Sequence, residues 1–231
     1  MLLKLTKSQH KRFAGCIFAV LTSLICHGGC GTVAVVGTPT SHEKKVPAEY
    51  DLAGYRYRNI LVLVEQTLWV GAEVNLRLYL TEAVNKDLVK KVGIRSRGLV
   101  AYRRLSEFRS NRPDFSLLPP AEVGAALGAD VVLLVMVENF QLQEIADTGY
   151  HKGFLAARAA LIDAATGKKI WPEFTESKTI KVGFEIGQRS PELAVKRLVK
   201  ACAHSIVRYL YDCPKDKFKI FDDKSDIGWG D

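Results

Sequence analysis

Cys30 is the residue best placed for covalent chemistry. Gly28 and Gly29 precede it, so a peptidase with a narrow site can reach the backbone there, and the released thiol can be acylated. The other reactive types are scattered. His10 and His27 lie in the first 29 residues, His42 shortly after, His151 in a polar stretch and His204 in a basic run. None is spaced with a nucleophile or a carboxylate as a triad or a general acid–base pair, so no catalytic residue is assigned and the chain is read as no enzyme. The cysteines show no CxxC or Cys/His ligand spacing, so no metal and no cofactor are expected. The remaining chemistry is charge. Lys196, Lys200, His204 and Arg208 recur every four residues, with Arg197 beside them. On a helix they share a face, where like charges cost a few tenths of a kcal/mol per pair. An acidic partner or lipid headgroups would offset that cost, and an ordinary solvated face is the other reading.

Cys30 is positioned by the segment before it. Lys4, Lys7, Lys11 and Arg12 form a basic start with no acid, and Phe13–Cys26 is a run of fourteen residues without charge. That is a secretory signal in composition and length, and it is short of the roughly 20 apolar residues that span a bilayer. The segment resembles a bacterial lipoprotein precursor with Gly28, Gly29 and Cys30 in the lipobox. His27 departs from it, since that position is usually aliphatic. The resemblance implies acylation at Cys30 by more than one chain, palmitate among them, and hence a stable tether. An uncleaved anchor extended by Thr32–Val36 and plain secretion are the alternatives. The resemblance also implies the outer membrane over the inner, because Gly31 rather than an inner-membrane-retaining Asp follows the cysteine, with the domain facing the periplasm.

Composition narrows the rest. The chain has 231 residues, enough for one domain beyond the signal. Of the 33 basic residues four lie in residues 1–29, which hold none of the 25 acidic ones; the remainder is 29 against 25, a net of +4. That mild charge does not mark a nucleic-acid binder. Cys202 and Cys213 would lie about 16 Å apart on one helix, too far for a disulfide unless the helix ends early.

The expected division is a signal peptide over 1–29, a flexible tether over 30–57, an α/β domain over 58–212 and a charged tail over 213–231. Asn59–Glu65 reads as a buried strand and Glu73–Val92, with apolar residues every four, as an amphipathic helix closed by Gly93. Gly98–Tyr102 reads as a second strand, 104–110 as a helical turn or two, and Pro119–Leu127 as a short helix closed by Gly128. Val131–Val137 is a central strand covered on both faces, and past it alternation leaves one wet face. Phe154–Asp163 returns as a strand, Ala164–Gly167 turns, and Lys168–Trp171 and Ile180–Ile186 are further strands. Ser190 caps a last helix that Pro191 enters, with Val195, Leu198, Val199, Cys202, Ile206 and Leu210 on its buried face.

This order predicts a mixed-sheet α/β sandwich of two or three layers. Two stretches, 125–134 around Gly128-Ala129-Asp130 and 159–171 around Asp163-Ala-Ala-Thr-Gly167, resemble the TolB N-terminal-like fold of envelope lipoproteins. Relatives of that fold include the curli-secretion lipoprotein CsgG, the penicillin-binding-protein activator LpoB and neisserial-type surface lipoproteins. The resemblance implies a non-enzymatic accessory or assembly module in the cell envelope, bound to membrane lipid through Cys30 and to an envelope protein partner, with a homo-oligomer left open. A channel subunit similar to CsgG would need membrane-crossing hairpins, and residues 139–153 and 174–189 are short and charged for that. An exported enzyme with an unrecognised site is the third reading.

Overall fold

The computed structural model describes residues 44–55, 58–67 and 74–225, all within one unit that begins at Lys44. Among the described residues there are seven strands: β1 (Lys45–Val46), β2 (Ile60–Gln66), β3 (Val131–Glu144), β4 (His151–Asp163), β5 (Lys169–Trp171), β6 (Lys178–Phe184) and β7 (Cys213–Pro214). The α-helices are α1 (Leu76–Asp87), α2 (Tyr102–Ser110), α3 (Pro120–Ala126), α4 (Pro191–Val207) and α5 (Lys215–Phe218). The sheet is mixed: β2 runs parallel to β3, β3 antiparallel to β4, and β4 carries β6 along its first half and β5 at its end. The expected α/β sandwich with a mixed sheet is therefore the observed architecture.

Alternation decides which side chains go where. Val62, Val64, Leu133, Val135, Leu155, Ala157, Ile180 and Val182 point to one face, where α1 and α4 cover them. Leu61, Leu63 and Val132 point to the other, under Leu105 of α2, Val123 of α3 and Phe115. That half has three layers. Beyond Leu134 the second face loses its helices, and Met136 is 39% exposed, so the seven-residue apolar run of β3 is covered on both sides only in its first part. A bulge between Val137 and Asn139 keeps Phe140 and Leu142 packed towards the core and turns Asn139, Gln141 and Gln143 outward.

The two stretches that carried the resemblance have clear structural work. Asp130 accepts from the Asn59 backbone N–H through Oδ2 at 2.7 Å, while its own N–H donates to the Asn59 carbonyl. These bonds fasten the starts of the parallel pair. Asp163 Oδ1 accepts from both the Thr166 N–H and its hydroxyl at 2.8 Å, and Gly167 completes the turn at φ +70°. The Thr166 bonds hold the Asp163 carboxyl below its usual range.

Several expectations are corrected. Residues 98–102 do not form a strand; Leu99 makes a single bridge to Ile60 and Tyr102 already begins α2. The predicted 73–92 helix starts at Leu76, where Asn75 caps it, and ends in a π-helical turn over Leu88–Val92. Strand β6 stops at Phe184, and Ile186 is exposed. The tether does not extend to residue 57: Lys45 and Val46 pair with Pro214 and Cys213, Leu52 is fully buried, and Glu49 holds the Trp171 indole N–H and Lys178. The C-terminal segment is not a loose tail as far as Ser225. It forms β7 and α5 and packs along α4 and the edge of β6.

Candidate functional site

Cys30 lies outside the described residues. The five residues of the predicted basic face all lie on α4 or, for Arg208, at its C-cap, because Ser190 caps the helix through Oγ and Pro191 opens it. The structure does not present them together. Lys196 is exposed and pairs with Glu192 one turn earlier at 2.6 Å, and Lys200 is exposed. Arg197 is half-buried and grips Asp222 with two bonds, of 2.7 and 2.5 Å, while lying 4.8 Å over the Phe184 ring. His204 is 8% exposed and Arg208 only 1%. Partner or headgroup contact through His204 and Arg208 is thereby overturned. They are under the chain's own C-terminal segment.

That segment supplies the acids the stripe needs. Arg208 forms an ion pair with Asp223, donates to the Phe218 carbonyl at 2.8 Å and to the Tyr209 hydroxyl at 2.7 Å, and stacks on both rings. His204 Nε2 lies 2.6 Å from the Lys217 carbonyl oxygen, and its Nδ1 lies 2.8 Å from the Lys91 ammonium. The ammonium can only donate, so Nδ1 accepts and Nε2–H donates, which defines a neutral ring. Burial, then the Lys91 charge, pushes the imidazole below its usual range, opposed by the Lys217 carbonyl. An arginine cannot shed its proton in the same way, so Arg208 is paired instead.

The remaining reactive groups are also inward. Cys202 and Cys213 are free and buried. Burial pushes the Cys202 thiol up to about 12, which removes the thiolate that reactivity requires. His151 Nδ1 sits 3.2 Å from the Gln188 carbonyl oxygen. Among the described residues no group of three or more His, Cys, Asp or Glu side chains is gathered to hold a metal ion, and no helix is long and apolar enough to cross a membrane.

The open surface is elsewhere. Where the second face of the sheet loses its helices, β3, β4 and β6 form a groove of about 810 Å³. Asn139, Gln141, Gln143, Lys152, Lys181 and Lys224 line it with amide and ammonium groups, and Phe154 adds an aromatic ring. Arg158 and Glu138 pair across β3 and β4 beside it at 2.6 Å. Sequence reasoning saw the polar alternation past Val137 and read it as a wet strand face. It did not place Lys181 and Lys224 on that face, because the pairing of β6 with β4 and the return of residues 222–225 along β6 are long-range events.

Comparison with protein-family models finds no match, and comparison with curated proteins finds none. Solved structures do align. The lipoprotein GNA1162 from Neisseria meningitidis is 21% identical over 65% of this chain and 98% of its own, with a TM-score of 0.41. A PelC dodecamer from Paraburkholderia phytofirmans is 13% identical over 73% and 97%, at 0.43. The LpoB C-terminal domain from Salmonella enterica is 17% identical over 61% and 85%, at 0.34. Likenesses this distant carry no argument about what the chain does.

Proposed function

We propose that the chain is an outer-membrane lipoprotein, acylated at Cys30 and facing the periplasm, whose α/β domain serves as a non-enzymatic accessory or assembly module for an envelope partner. The observation that supports this is one continuous run: four basic residues, fourteen uncharged ones, then Gly28-Gly29-Cys30. Thirteen residues, 31–43, separate the cysteine from Lys44, and a chain of that length reaches at most about 45 Å. On this reading the tether is the 30–43 segment, shorter than the 30–57 expected from sequence, because Lys44 already belongs to the folded unit. The polar groove on the sheet is the surface a partner would meet, since the basic face of α4 is largely used internally.

Intact mass and membrane fractionation of the native protein beside Cys30→Ser test the proposal. The native protein is expected to lack residues 1–29, to carry acyl mass and to sediment with membranes, and the variant to lose both acylation and membrane association. A native protein that keeps its N-terminus, with a variant that fractionates identically, would overturn it.

A further inference from the structure

A second cavity, of about 380 Å³, opens at the C-terminal end of the parallel strands on the helix-covered side of β2. Glu65 near the end of β2, Arg77 in the first turn of α1 and Arg109 in the last turn of α2 converge on it. Arg109 is held in place from two sides: Nη2 donates to Glu65 at 2.5 Å, and the guanidinium stacks 4.5 Å over the Phe115 ring. Arg77 makes no hydrogen bond and no ion pair among the described residues. The Nε–H of each arginine is buried without a hydrogen-bond partner. Burial, and then the neighbouring Arg77 charge, lower the Arg109 guanidinium from its ordinary value, with Glu65 opposing them. Among the described residues two cations and one carboxylate leave one positive charge uncompensated in a cleft otherwise lined by apolar and proline side chains, Leu63, Phe115 and Leu118 among them, and by Ser116. Folded chains rarely keep buried donors unpaired, so each of these groups calls for a partner.

We infer that this cavity binds a monoanionic carboxylate carried on an apolar body about the size of one amino-acid residue. The carboxylate sits between the planar forks of Arg77 and Arg109, which match it geometrically, and the body lies against Phe115, Leu63 and Leu118. One carboxylate cancels the single excess charge. A phosphate dianion would leave a net negative charge beside Glu65. The volume is at the small end for ligand pockets and admits one such group. A free organic acid and the C-terminal residue of a polypeptide share this chemistry. The inference is independent of the anchor at Cys30.

The test uses the full-length chain in detergent micelles, titrated by calorimetry with N-acetylphenylalanine, its amide and inorganic phosphate. The carboxylate is expected to bind saturably, the amide and phosphate to bind at least tenfold more weakly, and Arg77→Met to weaken the carboxylate at least tenfold with an unchanged melting temperature. Glu65→Gln, which raises the local charge from +1 to +2 while retaining a bond to Arg109, is expected to tighten binding several-fold, a gain that a misfolded variant cannot imitate. Equal binding of the amide, preference for phosphate, or no response to either substitution would overturn the inference. A pentapeptide ending in phenylalanine identifies the source: tighter binding than N-acetylphenylalanine assigns a polypeptide terminus, and equal binding a free acid, and both uphold the site.

Discussion

Arg208 and Asp223 set opposite charges where water does not reach, with side chains 1% and 2% exposed. Removing one partner of such a pair leaves an uncompensated buried charge and typically costs about 3–5 kcal/mol. Asp223→Ala is expected to lose that much in urea denaturation, while Glu192→Ala, at the exposed and solvent-screened pair with Lys196, is expected to leave the midpoint nearly unchanged. His204 contributes a pH dependence of known sign. Its folded pKa lies below the unfolded value, so the unfolded chain binds the extra proton first as pH drops. Stability is fully present above about pH 6.5, the unfolded value, and is lost as pH falls towards the folded pKa. The charges that face the ring are Lys91, Asp87 and Arg208. Thermal melts at pH 7.5 and 5 should show a drop that His204→Gln reduces. In the sequence His204 looked like one more cation in a stripe; nothing local says that Lys91, 113 positions away, and the Lys217 carbonyl take its two nitrogens.

Helix α3 packs on the sheet through Gly124. A Cβ there would come within 2.4 Å of Val132 Cγ2 and 3.2 Å of Ala164 Cβ. Gly124→Ala is therefore expected to destabilise by about 1–3 kcal/mol despite its better helix propensity, read from the denaturation midpoint, because overpacking a tight contact outweighs a gain of up to about 1 kcal/mol. Elements with strong periodicity were legible: β2, the first half of β3, β4, and α4 with its Ser190 cap. The 98–102 run was not, because five apolar residues fit a strand or a bridge followed by a helix equally well, and only the position of α2 over Leu61 and Leu63 decides between them. Residues 44–55 and 213–225 were also illegible. Their polar, Pro-bearing composition describes segments that coat a surface as well as segments that leave it, and the burial of Leu52 and Cys213 depends on what lies opposite.

Over the whole molecule, the C-terminal segment is part of the fold rather than an appendage. Truncation after Asp212 removes Asp222 and Asp223 and uncovers His204 and Arg208, so the shortened chain is expected to melt well below the full one by circular dichroism. If it melts at the same temperature, the segment's contacts contribute nothing net. The proposal of export and of anchoring at Cys30 rests on sequence alone, because a signal and its cleavage site are read as an extended local string with no fold behind them. Local signals also determined the α/β class and the turns at Asp130 and Asp163–Gly167, since side-chain period and turn chemistry act over a few residues. Only the tertiary structure decided which charges meet solvent. It turned half of the α4 stripe inward onto Asp222 and Asp223, opened the polar face of β3, β4 and β6, and brought Arg77 and Arg109 together across 32 positions of sequence. Burial and pairing of a charge depend on neighbours that the chain delivers from far away, and spacing along one helix carries no record of them.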